Sequence, residues 1–236
     1  DDAARAAIFY LKHYQVNNEE TSLLKAKRLL QFVLHMQAEN GLFYNFIWGD
    51  HSQNKTYKTS VALPDWWTWR AMWALSEGVT IFKNLDQDFS ASLSSSLEKA
   101  TSNLLSQLPL SRDTKLVNGI EVPTWLPYES ATDQAALLIF SLAPYYQMTK
   151  DSLVLEYVKS LTDGIMLMQA GDSINFPHYA FLSWENIWHA YGNSQSQALL
   201  IAGKLMDDSE IIQSALNEIK HFYPYLKKHN LIEFKI

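Results

Sequence analysis

Apolar residues recur at a spacing near 3.6 along most of the chain, the signature of amphipathic helices. The pattern predicts eight of them, near 2–15, 20–37, 65–83, 87–108, 130–148, 151–170, 185–204 and 208–227. On the second, Leu23, Leu24, Leu29, Leu30, Val33 and Leu34 fall on one face. Pro144 is expected to kink or end the fifth, because proline cannot donate the helix hydrogen bond. Gly78, inside the third, should mark a close helix contact, since glycine there costs about 1 kcal/mol relative to alanine. Strand-like alternation is nearly absent. The fold class is therefore all-α, with residues 1–236 read as a single domain.

Short and long connections alternate. Val16–Glu19, Asn84–Asp86, Lys150 and Met206–Asp208 are tight links, whereas 38–63, 109–128 and 171–184 are long. That alternation describes four helical hairpins stacked with their long loops at one end, where binding and chemistry usually sit. A short echo supports the period. Met36-Gln37-Ala38 closes the second helix and leads into Gly41-Leu42-Phe43-Tyr44-Asn45-Phe46. Met168-Gln169-Ala170 closes the sixth, two hairpins later, and leads into Gly171 and then Ile174-Asn175-Phe176-Pro177-His178-Tyr179.

Composition narrows the chemistry. A formal charge of -6 argues against nucleic acid as a partner, which would need basic patches. With no cysteine there is no disulfide framework, thiol nucleophile or thiolate metal site. The histidines show no metal-binding spacing, no Gly-rich phosphate loop is present, and neither metal nor cofactor is expected. No apolar run reaches the roughly 20 residues that span a bilayer.

Aromatic and acidic residues crowd the long-loop end. Seven of eight tryptophans (Trp48, Trp66, Trp67, Trp69, Trp125, Trp184 and Trp188) lie in long loops or the first turns after them. Large caps over the hairpin core would explain this, and so would a cleft whose indole faces stack on sugar rings. Acids stand beside them: Asp65 before Trp66, Glu129 and Asp133 after Trp125 and Tyr128, and Glu185 after Trp184. Carboxylates favour helix N-termini, which could account for each acid singly. Together they also supply candidates for the two carboxyl groups that flank a bond in glycoside hydrolysis.

The segments Leu30–Gln37, Asn40–Ile47 and Arg70-Ala71-Met72-Trp73-Ala74-Leu75 resemble the six-hairpin glycosidase-like, or (α/α) toroid, superfamily. Trp125 to Leu138, and Glu185 with Tyr191, Asn193 and Ala198-Leu199-Leu200, are similar to the openings of its inner helices. The resemblance implies an aromatic-lined cleft at the N-terminal ends of inner helices, with oligo- or polysaccharide as the partner. It places Asp65, Glu129, Asp133 and Glu185 as catalytic candidates. Asn45, Trp66, Trp69, Arg70, Trp125, Tyr128, Trp184, His189, Tyr191 and Asn193 become the sugar-binding ones. Trp66 stands where members often carry a second acid or a small polar residue. Four hairpins, where a full toroid has six, imply a ring completed by a further domain or chain. A saccharide substrate and a leader already removed would place the protein outside the cytoplasm. Hydrolysis is the leading expectation. A polysaccharide lyase using Tyr191, His189, Asn193 and Arg70, and a non-catalytic glycan-binding module, are the alternatives.

Overall fold

The computed structural model describes residues 1–236 and is mostly helical. The chain forms two compact units, Asp1–Gln107 and Leu108–Ile236. In the first, α1 (Asp2–Asn17) packs on α2 (Glu20–His35) and on α3 (Trp66–Phe82), which pairs with α4 (Gln87–Leu105). In the second, α5 (Thr132–Thr149) packs on α6 (Ser152–Leu167) and on α7 (Gln195–Met206), which pairs with α8 (Ser209–Asn217). A π-helical turn at Glu218–Phe222 and α9 (Tyr223–His229) follow. None of the helices is long and apolar enough to cross a membrane.

Local chemistry explains the boundaries. Asp86, Asp151 and Asp208 each accept a backbone N–H from the first turn of α4, α6 and α8, satisfying a donor that has no partner within its helix. Asn18 and Lys150 end α1 and α5 in the left-handed conformation, each donating its N–H to a tyrosine carbonyl, Tyr14 and Tyr146. Gly78 marks the expected close contact: a Cβ there would lie 2.8 Å from Leu30 of α2 and 2.9 Å from Leu93 of α4.

The echo read in the sequence is a structural repeat. Gln37 and Gln169 occupy the same place and do the same work. Gln37 donates from Nε2 to Gly41 O and Ser96 O, both at 2.8 Å, tying its loop to α4. Gln169 donates to Tyr179 O at 3.0 Å and Ser214 O at 2.9 Å, tying its loop to α8. Met36 O accepts from Tyr44 N, and Met168 O from Leu182 N. The starts of α2 and α6 (20 and 152), the two helix ends Asn18 and Lys150, and the two methionines are all 132 positions apart.

Three features depart from the helical pattern. Six short strands form three antiparallel pairs: β1 (Thr114–Val117) with β2 (Ile120–Pro123), β3 (Gln169–Ala170) with β4 (Ala180–Phe181), and β5 (Ile187–His189) with β6 (Glu233–Lys235). The seventh helix starts at Gln195 and not near 185, because 187–189 is a strand followed by a 3₁₀ turn at Ala190–Gly192. Pro144 neither ends nor interrupts α5, which continues to Thr149. That helix is buried at every position from Thr132 to Ala143, and such packing outweighs a proline penalty of about 3 kcal/mol.

The two loop glycines of the repeat have no room for a side chain. Gly41 has φ +88°, and a Cβ would lie 2.7 Å from Lys99 O; at Gly171 (φ +72°) it would lie 2.6 Å from three backbone atoms. Gly119 has a similar φ, +82°, but open space around it. Urea denaturation should therefore show Gly41→Ala and Gly171→Ala destabilised by about 2–4 kcal/mol, and Gly119→Ala by about 1 kcal/mol. Equal losses at all three would mean that backbone strain alone, and not the close approach, sets the effect.

Candidate functional site

The sequence Asn118-Gly119 closes the β1–β2 hairpin with both residues at positive φ, as a type I′ turn requires. This hairpin carries Lys115. Next comes Trp125, buried, its indole N–H donating to Ser160 O at 2.8 Å. Tyr128 and Glu129 then take positive φ (49° and 67°), an uncommon conformation for such residues, and both stay exposed. Glu185 repeats this at φ 46°, between the bridged residues Trp184 and Ile187. The two turns are stitched together. Trp184 Nε1 donates to Tyr128 O (3.2 Å), Glu185 N to Ser130 Oγ (3.0 Å), Thr132 N to Ser183 O (2.9 Å) and Gln195 Nε2 to Thr132 Oγ1 (3.1 Å).

This stitching brings Glu129 and Glu185 onto one cation. Lys115 Nζ bonds to Glu129 Oε2 and lies 3.4 Å from Glu185 Oε1. Two oxygens held by one nitrogen are within roughly 6 Å of each other. The bond to Glu129, then that to Glu185, raises the Lys115 ammonium above its ordinary value. Neither glutamate caps a helix: the N-cap of α5 is Ala131 and that of α7 is Ser194. Helix capping thus accounts for Asp65, whose carboxylate accepts from Trp66 N at 2.6 Å, but not for these two.

Beside them is a second pair. Asp133, 2% exposed, lies with Oδ2 3.2 Å from His189 Nε2, while its Oδ1 accepts from Gln134 N at 2.7 Å. Burial pushes the Asp133 carboxyl up, and the hydrogen bond and charge of Asp133 push the imidazole up in turn, so the pair holds a proton to higher pH than a free histidine does. Gly192 permits the approach, since a Cβ there would lie 2.5 Å from Asp133 Cβ. Strand β6 pins the histidine by pairing His189 with Glu233. Tyr191, 77% exposed, places its ring 5.2 Å from the imidazole. Asn193 Oδ1 accepts from the Tyr223 hydroxyl at 3.3 Å.

Not every residue expected at the site is available there. Trp69 and Trp125 are 1% and 4% exposed and serve the core, so neither presents a ring face to a sugar. Asp65, Asn45, Trp66 and Arg70 belong to the first unit. Arg70 pairs with Asp1 at 2.6 Å and lies over the Trp66 ring, 5.0 Å from its centroid; Asn45 Nδ2 donates to Thr59 O at 2.9 Å. In the second unit Tyr128, Glu129, Asp133, Trp184, Glu185, His189, Tyr191 and Asn193 share connected loops. The 132-residue spacing matches Asp133 to Asp1, so the first unit pairs this acid with a permanent guanidinium where the second uses a titratable imidazole.

Two participants were not read from the sequence. Lys115 lies on a hairpin whose Asn-Gly turn was the available signal. Glu218, fully buried, accepts from Phe181 N at 2.9 Å and from the Ser196 hydroxyl, and shares the one Tyr223 hydroxyl proton with Asn193 Oδ1. A charged residue on the apolar side of a helical pattern was the only sign of it. Comparison with family models and with curated proteins finds no match to this chain.

Proposed function

We propose that the chain is a carbohydrate-active enzyme of the glycoside hydrolase type, working at the loop cluster of its second unit. The observation that carries this reading is the pair Glu129 and Glu185, both on positive-φ backbone and held on one ammonium, close enough together to flank a single glycosidic bond. Lys115 sets its ammonium against both carboxylates, the arrangement of a nucleophile or a base beside a cation. The donor is His189: Asp133 faces its Nε2 at 3.2 Å and raises the imidazole above its ordinary value, and its Nδ1, buried and without a partner in the free protein, is the nitrogen left for a substrate that enters the loop cluster. Tyr128, Trp184 and Tyr191 are exposed and supply ring faces for stacking, and Asn193 a hydroxyl partner. Four helical hairpins in two repeats fit an (α/α) toroid that a further domain or chain completes.

A lyase is the second reading, favoured by one contact. A half-buried imidazole and an exposed phenol, His189 and Tyr191, have ring centroids 5.2 Å apart, the pair of groups β-elimination would use. A panel of oligo- and polysaccharides incubated with the protein and read by mass spectrometry separates the two. Products heavier by one water establish hydrolysis; unsaturated products without added water establish elimination. In the first case Glu129→Gln and Glu185→Gln should each lower turnover by at least about 100-fold while sugar binding persists. Full activity in both variants removes the carboxylate pair from the mechanism. Bound but intact glycans throughout would make the cluster a non-catalytic binding surface.

A further inference from the structure

The long loop of the first unit folds into a polar bowl of about 380 Å³, between the Gln37–Tyr44 turn and the Gln53–Lys55 segment. Its walls are fixed by the loop's own hydrogen bonds. Gln37 Nε2 is spent on Gly41 O and Ser96 O, Asn40 Nδ2 donates to Ala62 O at 3.1 Å, and the Gln53 amide N–H bonds to His35 O. With these N–H groups engaged, the lining is left rich in acceptors: the Gln37 and Gln53 carbonyl oxygens and the Glu39 carboxylate. Donors stand beside them, in the Tyr44 hydroxyl and the Lys55 ammonium, and Lys55 makes no ion pair with Glu39.

The chemistry of this lining selects its ligand. Apolar molecules find little to bury against, because the one large ring, Tyr44, has Lys55 over it at 5.7 Å. Glu39 and Lys55 cancel in charge, so neither a polyanion nor a polycation is favoured. Acceptors and donors side by side without net charge call for a ligand whose hydroxyls both donate and accept, and the volume lies at the low end of small-molecule sites. We propose that this bowl is a second site, independent of the loop cluster in the other unit, and that it binds a neutral saccharide.

The test uses the full chain carrying Trp184→Ala and His189→Ala, so that binding at the second unit does not mask the result. Methyl glycosides of glucose, galactose, mannose and N-acetylglucosamine are titrated against it by saturation-transfer NMR and calorimetry. At least one should bind, and adding Glu39→Ala and Lys55→Ala should weaken it tenfold or more. Both residues are exposed, and Lys55 touches only the Tyr44 ring of the bowl itself, so thermal melting should change little. The proposal is overturned if none of the four binds in the silenced background, if binding ignores Glu39 and Lys55, or if glucuronate or an amino acid binds more tightly. None of these outcomes depends on what the second unit catalyses.

Discussion

His189→Gln should lower turnover by about 10²- to 10⁴-fold on whichever glycan proves to be the substrate, the range by which a positioned proton-transfer group accelerates a reaction. Asp133→Asn should produce a smaller loss with a diagnostic shape. Asp133 raises the imidazole pKa, so its removal lets His189 lose its proton at lower pH. If His189 is the proton donor of a hydrolase, the alkaline limb of the pH–rate profile then moves to lower pH. If it is the base of a lyase, the acid limb moves to lower pH instead, and activity near pH 6 is preserved or improved. The amide still accepts from Gln134 N–H, which keeps the first turn of α5 in place. A profile that falls uniformly without moving either limb would mean that Asp133 only supports the fold.

Much of this fold is written in local signals. The hairpin period follows from 3.6-residue spacing and from aspartates placed at helix starts, as at Asp86, Asp151 and Asp208. The Met-Gln-Ala echo pointed to a repeat, and Gln37 and Gln169 show why the tripeptide recurs: one amide must tie a loop to a neighbouring helix. The segment 185–194 was illegible for the opposite reason. Ile187-Trp188-His189 is a strand only because Glu233-Phe234-Lys235, more than 40 positions later, pairs with it and stacks Phe234 on Trp188 at 5.4 Å. Nothing local announces that partner. Seven of the eight tryptophans lie in long loops and first helical turns, yet sequence could not separate Trp125 and Trp69, which fill the interior, from Trp184, which remains exposed. Carboxylate pairing was equally hidden, since it rests on Lys115 from a hairpin that precedes α5.

Glu218 makes the fold respond to pH in a direction opposite to that of a salt-bridged acid. It is fully buried, burial pushes its carboxyl up to about 7, and the bonds from Phe181 N–H, Ser196 and Tyr223 offset only part of that shift. The unfolded chain releases this proton near the ordinary glutamate value of 4.5, so between there and about 7 the native state binds more protons than the unfolded one. Stability contributed by Glu218 is therefore lost as pH rises through that window, by about 3 kcal/mol in all. Glu218→Gln should keep an acceptor for Phe181 N–H and carry no such proton. Urea denaturation at pH 5 should find the variant close to wild type, and at pH 8 it should find the variant more stable by about that amount. Glu218→Ala should be weaker at every pH by about 1–3 kcal/mol, because it strands buried donors. The repeat explains why the position tolerates change: counted from the matched serines Ser96 and Ser214, it corresponds to Ala100 in the first unit, so the hairpin packs without a carboxyl there. What the second unit gains is a link from Glu218 through Tyr223 to Asn193, at the foot of the turn that bears Tyr191. Parallel pH slopes for wild type and Glu218→Gln would show that Glu218 is ionised throughout, and that its three donors outweigh its burial.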